Sequence, residues 1–160
     1  MIYNTINTDL LKLGNPKKFD NEEKYITPLY YNGSELDFSL KNKFVRIEKI
    51  EENSYGKEFV TIKSKEYSDV IETIAKKLDV QSPIQSDGSF RATISSKTKS
   101  SKPLNDLRDK KFTACISLAF STVYSDETRK TLPIQLKDLI IIKIINEDLE
   151  IDMDKLEEAM

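Results

Sequence analysis

Histidine is absent from the 160 residues, and Cys115 is the single cysteine. These two absences exclude a Ser-His-Asp triad, a Cys-His dyad, a histidine-ligated metal, a zinc cluster and an intramolecular disulfide. Carboxylate and lysine chemistry is left. Most acid–base catalysis near neutral pH uses histidine, so an enzyme is disfavoured, and no cofactor or metal is implied. No apolar run approaches the ~18 residues of a membrane-spanning helix. The longest, Leu139 to Ile145, is interrupted by Lys143. The opening Met-Ile-Tyr-Asn-Thr lacks the basic and apolar regions of a secretory leader. The expectation is an intracellular protein with no membrane partner.

What is present suits one globular domain: 38% apolar and 32% charged residues, enough for a single core. The net charge of −2 hides an asymmetry. Asn146 to Met160 holds seven acidic residues and one lysine; without it the body has 24 basic and 20 acidic residues, or +4. Arg91 to Lys111 holds seven basic residues against Asp106 and Asp109. A basic body with an acidic end points to a polyanionic partner.

The pattern divides the chain into an arm (1–24), a body (25–145) and the acidic tail (146–160). Gly14, Asn15 and Pro16 interrupt the arm, which reads as loosely packed, with Leu10, Leu11 and Leu13 available to dock. Ile26 to Tyr31 is β-prone, and Asn32-Gly33 predicts a tight hairpin turn. Leu36, Phe38 and Leu40 alternate in the returning strand. Lys43–Ile50 and Glu58–Lys63 read as strands joined by a turn at Asn53–Gly56. Val70, Ile71, Ile74, Ala75 and Leu78 then take helical spacing, predicting a helix over 66–78 with Ser68 as N-cap. Residues 79–89 read as a loop, Phe90 to Ser96 as a strand, and the Ser/Lys-rich 95–102 as a mobile loop. Phe112 to Tyr124 is the strongest strand, with Phe112, Ala114, Ile116, Leu118 and Phe120 on one face and Cys115 a small buried packing residue on the other. Thr131–Leu136 and Leu139–Ile145 close the chain. The expected class is mostly β with one inserted helix, an OB-fold-like small antiparallel barrel, closed or half-closed.

Taking Val45, Ile47, Val60, Ile62, Ala92 and Ile94 as core turns Phe44, Arg46, Phe59, Thr61, Lys63, Arg91, Thr93 and Lys97 outward. Aromatic rings interleaved with cations suit single-stranded nucleic acid, whose bases stack on rings while lysine and arginine track phosphates. Lys99, Lys102, Arg129 and Lys130 sit on basic loops able to close over a strand, and Tyr124 lies at a strand end.

The succession "PLYYNGSELDFSL", "KFVRIEKIEENSYGKEFVTIKS", "YSDVIETIAKKL", "FRATISSKTK", "KKFTACISLAFSTVY" and "IQLKDLIIIKI" resembles the small OB-fold single-stranded-DNA-binding proteins of bacteriophages and large DNA viruses. The acidic "NEDLEIDMDKLEEAM" is similar to their partner-binding tails. The resemblance implies a non-enzymatic protein that coats single-stranded DNA during phage or viral replication and recombination, in the host cytoplasm. Phe44 and Phe59 would stack bases, and Arg46, Lys63, Arg91, Lys97, Lys99 and Lys102 would hold phosphates. Replication proteins would bind the tail through Glu147, Asp148, Glu150, Asp152, Asp154, Glu157 and Glu158. RNA binding and homo-oligomerisation are left open. The alternative is a protein-interaction module, a virion component or an inhibitor of a host factor, presenting Leu139 and Ile141.

The tail admits two readings, a helix Met153–Met160 docked on the body or a free acidic segment. A tethered free segment has a millimolar-order effective concentration and competes with DNA for the basic body. On that reading, deleting 147–160 tightens single-strand binding, most at low salt where screening is weakest. On the docked reading, the deletion lowers the melting temperature and leaves affinity unchanged. Titration and thermal melting of the truncated chain separate the two.

Overall fold

In the computed structural model, which describes residues 2–19, 23–40 and 42–145, the chain forms in order β1 (Leu11–Leu13), β2 (Lys17–Phe19), β3 (Lys24–Tyr31), β4 (Leu36–Phe38), β5 (Val45–Ile47), β6 (Ile50–Glu52), β7 (Glu58–Lys63), α1 (Lys65–Leu78), β8 (Ser89–Ile94), β9 (Lys99–Ser100), β10 (Lys111–Phe120), β11 (Thr122–Ser125), β12 (Lys130–Thr131) and β13 (Gln135–Ile145). The fold of the described residues is mostly β with one α-helix. No helix among the described residues is long and apolar enough to cross a membrane.

The two-residue period of β10 sets the layout. Phe112, Ala114, Ile116, Leu118 and Phe120 are all buried on one face. β10 pairs along one edge with β4 and β5 and along the other with β13. From β13 the larger sheet continues through β8 and β7 to β6. β5 and β6 are consecutive, separated by Glu48 and Lys49, yet β5 joins β10 and β6 joins β7. The sheet therefore curls back toward itself. Its ladder breaks between these segments, and it does not close into a barrel. Nor is it wholly antiparallel, because β13 runs parallel to β8 and β9.

A second sheet, β1–β3–β11–β12 with β2 on β3, is reached as β10 runs through Ser121 into β11. The stretch read as a loose arm is tied to both sheets: Leu11 is buried opposite Tyr31 in the second, and Tyr3 bridges to Phe38 on β4 of the first. Pairing with β3 satisfies backbone groups that the sequence leaves without an evident partner. One apolar cluster serves both sheets.

Local chemistry explains the connections. Asn32 and Gly33 adopt φ of 50° and 82°, the left-handed conformation that an Asn-Gly hairpin turn requires. The helix starts at Lys65 rather than Glu66, and its N-cap is Ser64, whose Oγ accepts from the Tyr67 amide. Ser68 lies within the first turns and donates to the Gly88 carbonyl. The predicted strand 131–136 is interrupted: Thr131 ends β12, 132–134 are irregular, and Gln135 and Leu136 open β13. Pro133 cannot donate to a ladder, and β13 begins at Gln135.

The helix buries Tyr67, Ile71, Ile74, Ala75 and Leu78 in the core. Tyr67 is fully buried between Phe38 and Phe90. Its hydroxyl donates to the Ile116 carbonyl at 3.2 Å and accepts from the Leu40 amide at 2.9 Å. Burial pushes its phenol pKa up. Tyr67→Phe leaves the Leu40 amide unsatisfied, which costs about 1–3 kcal/mol. The expected outcome is a melting temperature lowered by about 2–4 °C per kcal/mol with the far-UV spectrum unchanged. An unchanged melting temperature contradicts this assignment.

Candidate functional site

The outward face of β7 and β8 carries the expected side chains. Phe59 lies opposite Thr93, Thr61 opposite Arg91, and Lys63 opposite Ser89, while Val60, Ile62, Ala92 and Ile94 are buried on the inner face. Arg91 sits diagonally from Phe59 and lays its guanidinium over that ring, 4.7 Å from the centroid. Such a contact contributes about 0.5–1 kcal/mol at an exposed site and fixes both groups as one flat, cationic surface. Phe44 and Arg46 share the outward register beside buried Val45 and Ile47. The Phe44 side chain is 59% exposed.

An open groove of about 380 Å³ crosses this face, lined by Arg46, Lys49 and Lys63 and by Glu48, Glu51 and Asp87, with Thr61 and Ser89. Its carboxylates are engaged. Glu48 accepts from Arg46 at 2.9 Å and pairs with Lys111 at 3.4 Å. Glu51 accepts from the Thr61 hydroxyl at 3.2 Å. Asp87 accepts from the Ser89 hydroxyl and amide, which hold its carboxyl below the usual range, and the charge of Lys63 adds to the effect. The Arg46–Glu48 pair is exposed, and a pair of this kind costs little to break. Lys63 has no ion-pair partner among the described residues, and neither do Lys97, Lys99 or Lys102.

The segment read as a mobile loop is strapped down. β9 pairs with β13 through Lys99 and Ser100. The Thr98 hydroxyl donates to the Leu136 carbonyl at 2.5 Å, the Ser101 amide donates to Leu139, and the Ile141 amide donates to the Ser101 hydroxyl. Lys97, Lys99 and Lys102 are thus exposed cations on fixed backbone. Tyr124, Arg129 and Lys130 belong to the other sheet. There the Arg129 guanidinium lies 6.0 Å from the Tyr124 ring centroid. The tail residues Glu147, Asp148, Glu150, Asp152, Asp154, Glu157 and Glu158 lie outside the described residues.

Two readings of β13 and β10 are corrected. Leu139 is buried and Ile141 packs on the core, while Ile140 and Ile142 are the exposed pair. Ile140 points out because it lies opposite outward Cys115, and Ile142 falls at the register shift between Thr113 and Ala114. Cys115 is half-buried on the outward register, opposite Ile140, rather than enclosed.

Sequence reasoning missed Tyr55. It stands 89% exposed at the tip of the β6–β7 hairpin. The Asn53 side chain accepts from the amides of Tyr55 and Lys57, and Gly56 takes a φ of 80°. The available signal was an aromatic residue in a polar four-residue turn that has no structural need of a ring. Among the described residues no group of three cysteine, aspartate or glutamate side chains converges as a metal site.

A protein-family model described as "Family of unknown function (DUF5482)" matches residues 1–160. The chain is 52% identical over 161 residues to the Kluyveromyces lactis "Uncharacterized killer plasmid pGKl-2 protein 5", covering 100% of both chains. No solved structure matches it.

Proposed function

This chain belongs to the family of unknown function DUF5482, and we propose that it binds single-stranded DNA without catalysing a reaction, coating and protecting unwound strands during replication or recombination of an extrachromosomal element. The relative's name, a killer plasmid protein, makes a plasmid one such element; a phage or viral genome is the other. The observation that carries the reading is the Arg91–Phe59 stack on an open sheet face with unpaired Lys63 beside it. A base adds to that flat surface, and Phe44 and Tyr55 offer further exposed rings. Stacking of this kind is sequence-tolerant, because every base has a π-face. Arg46, Lys63, Lys97, Lys99 and Lys102 contact phosphates.

The exposed Ile140 and Ile142 favour a second reading, a protein-interaction surface on the same body. Salt-sensitive binding of single-stranded oligonucleotides separates the two.

Fluorescence titration with single- and double-stranded oligonucleotides at two salt concentrations is the test. Single strands bind more tightly than duplex, because paired bases cannot reach the rings, and affinity falls with salt by about −0.7 in the log–log slope per phosphate contact. Phe59→Ala loses about 1–3 kcal/mol of binding at unchanged salt slope. Lys97→Ala instead reduces the slope by somewhat under one unit. Equal affinity for duplex and single strand sinks the stacking account.

A further inference from the structure

Among the described residues the cation-over-ring device occurs twice. Besides Arg91 over Phe59, Arg129 lies over Tyr124 on the second sheet. Antiparallel pairing there builds a continuous outward face. Lys17 lies opposite Ile26, Ile26 opposite Tyr124, and Lys12 opposite Tyr30. The alternate residues Thr27, Leu29 and Tyr31 are buried, whereas Ile26 and Tyr30 are 39% and 41% exposed. Ile26 and Tyr30 are four residues apart along β3, or about 13 Å. The Tyr30 ring is buttressed from the β1–β2 connection. A Cβ on Gly14 would stand 3.0 Å from the Tyr30 ring and 3.4 Å from Pro28, and the Gly14 amide donates to the Pro28 carbonyl.

Charge favours a polyanion. Lys12 and Lys17 are exposed and have no ion-pair partner among the described residues. Asp126, against the Tyr124 hydroxyl, pairs with the exposed Arg129 guanidinium at 3.7 Å, so a phosphate competes there with one carboxylate. It accepts from the Thr128 and Arg129 amides, the Thr128 hydroxyl and Tyr124, which hold its carboxyl below the usual range.

We propose that this outward face of the second sheet, Tyr124 under Arg129 with Ile26, Tyr30, Lys12 and Lys17, is a second stacking platform for single-stranded nucleic acid. The inference rests on the single-strand-binding reading above and extends it. A strand long enough to leave the β7–β8 face engages the second sheet as well, and the two platforms together set a longer binding site than either alone.

The test titrates oligo(dT) of about 30 nucleotides against the full chain, Phe59→Ala, Tyr124→Ala and the double variant Lys12→Gln/Lys17→Gln. Tyr124→Ala weakens binding about 5- to 150-fold, the equivalent of one lost stack. The lysine pair lowers the salt slope by about 1.4, two contacts on a single strand. Both lysines are exposed and outside the core, so this variant reads out the platform even where Tyr124→Ala disturbs the fold. If the lysine variant matches the unmodified chain in affinity and slope while Phe59→Ala is weakened, the second platform is overturned and the first stands. If the unmodified chain does not bind oligo(dT), both fall.

Discussion

The two ring-and-cation faces of this molecule depend on one constraint, the two-residue period of β10. Its inward residues, from Phe112 to Phe120, fill the core at alternate positions without a polar interruption. That fixes its own register, and the register fixes its neighbours: Arg46 opposite Thr113, Asp37 opposite Ala119, Ile140 opposite Cys115. A slip of one residue would carry the buried set to solvent. The same strand, continued through Ser121, hands the chain to the second sheet, so both ring-and-cation faces are positioned by one element.

The helix and an ion pair support this arrangement from either end. Tyr67 ties α1 to the β10 backbone at Ile116, and Phe38 and Phe90 enclose its ring. Across β10, buried Asp37 on β4 pairs with Lys137 on β13, and this hydrogen bond raises the lysine's pKa. The two strands that flank β10 are thereby linked over its end. Elsewhere on the same outward register, the carboxylates of the groove are held by Arg46, Thr61 and Ser89, which orders a mixed-charge surface.

Legibility in the sequence tracked how local the cause was. The alternation of β10, the Asn-Gly turn and the apolar stripe of α1 depend on residues within a few positions of one another, and all three stand where the pattern put them. The outward placement of Phe44, Arg46, Phe59, Lys63 and Arg91 followed from the same alternation. Two misses were local, the N-cap at Ser64 rather than Ser68 and the interruption around Pro133; the others depended on distant partners. Leu139–Ile145 has no apolar–polar alternation, so its exposed pair is set by its register against β10 rather than by its own pattern. The Ser/Lys-rich segment around Lys99 has a loop's composition but is held by Leu136 and Leu139, almost forty residues away. The β1 and β2 strands exist because β3 offers them edges. The Arg91–Phe59 contact is a cross-strand diagonal, legible only once the β7–β8 register is known.

The central claim is that bases stack on the outward face of β7 and β8. The most direct measurement is photochemical cross-linking of the full chain to oligonucleotides carrying 5-iodouracil, with the attached residues located by mass spectrometry. The account predicts adducts on Phe59 and on the exposed rings Phe44 and Tyr55, all lost in the presence of excess unlabelled single strand. Adducts confined to the polar face of α1, or spread over the surface and insensitive to competitor, contradict it.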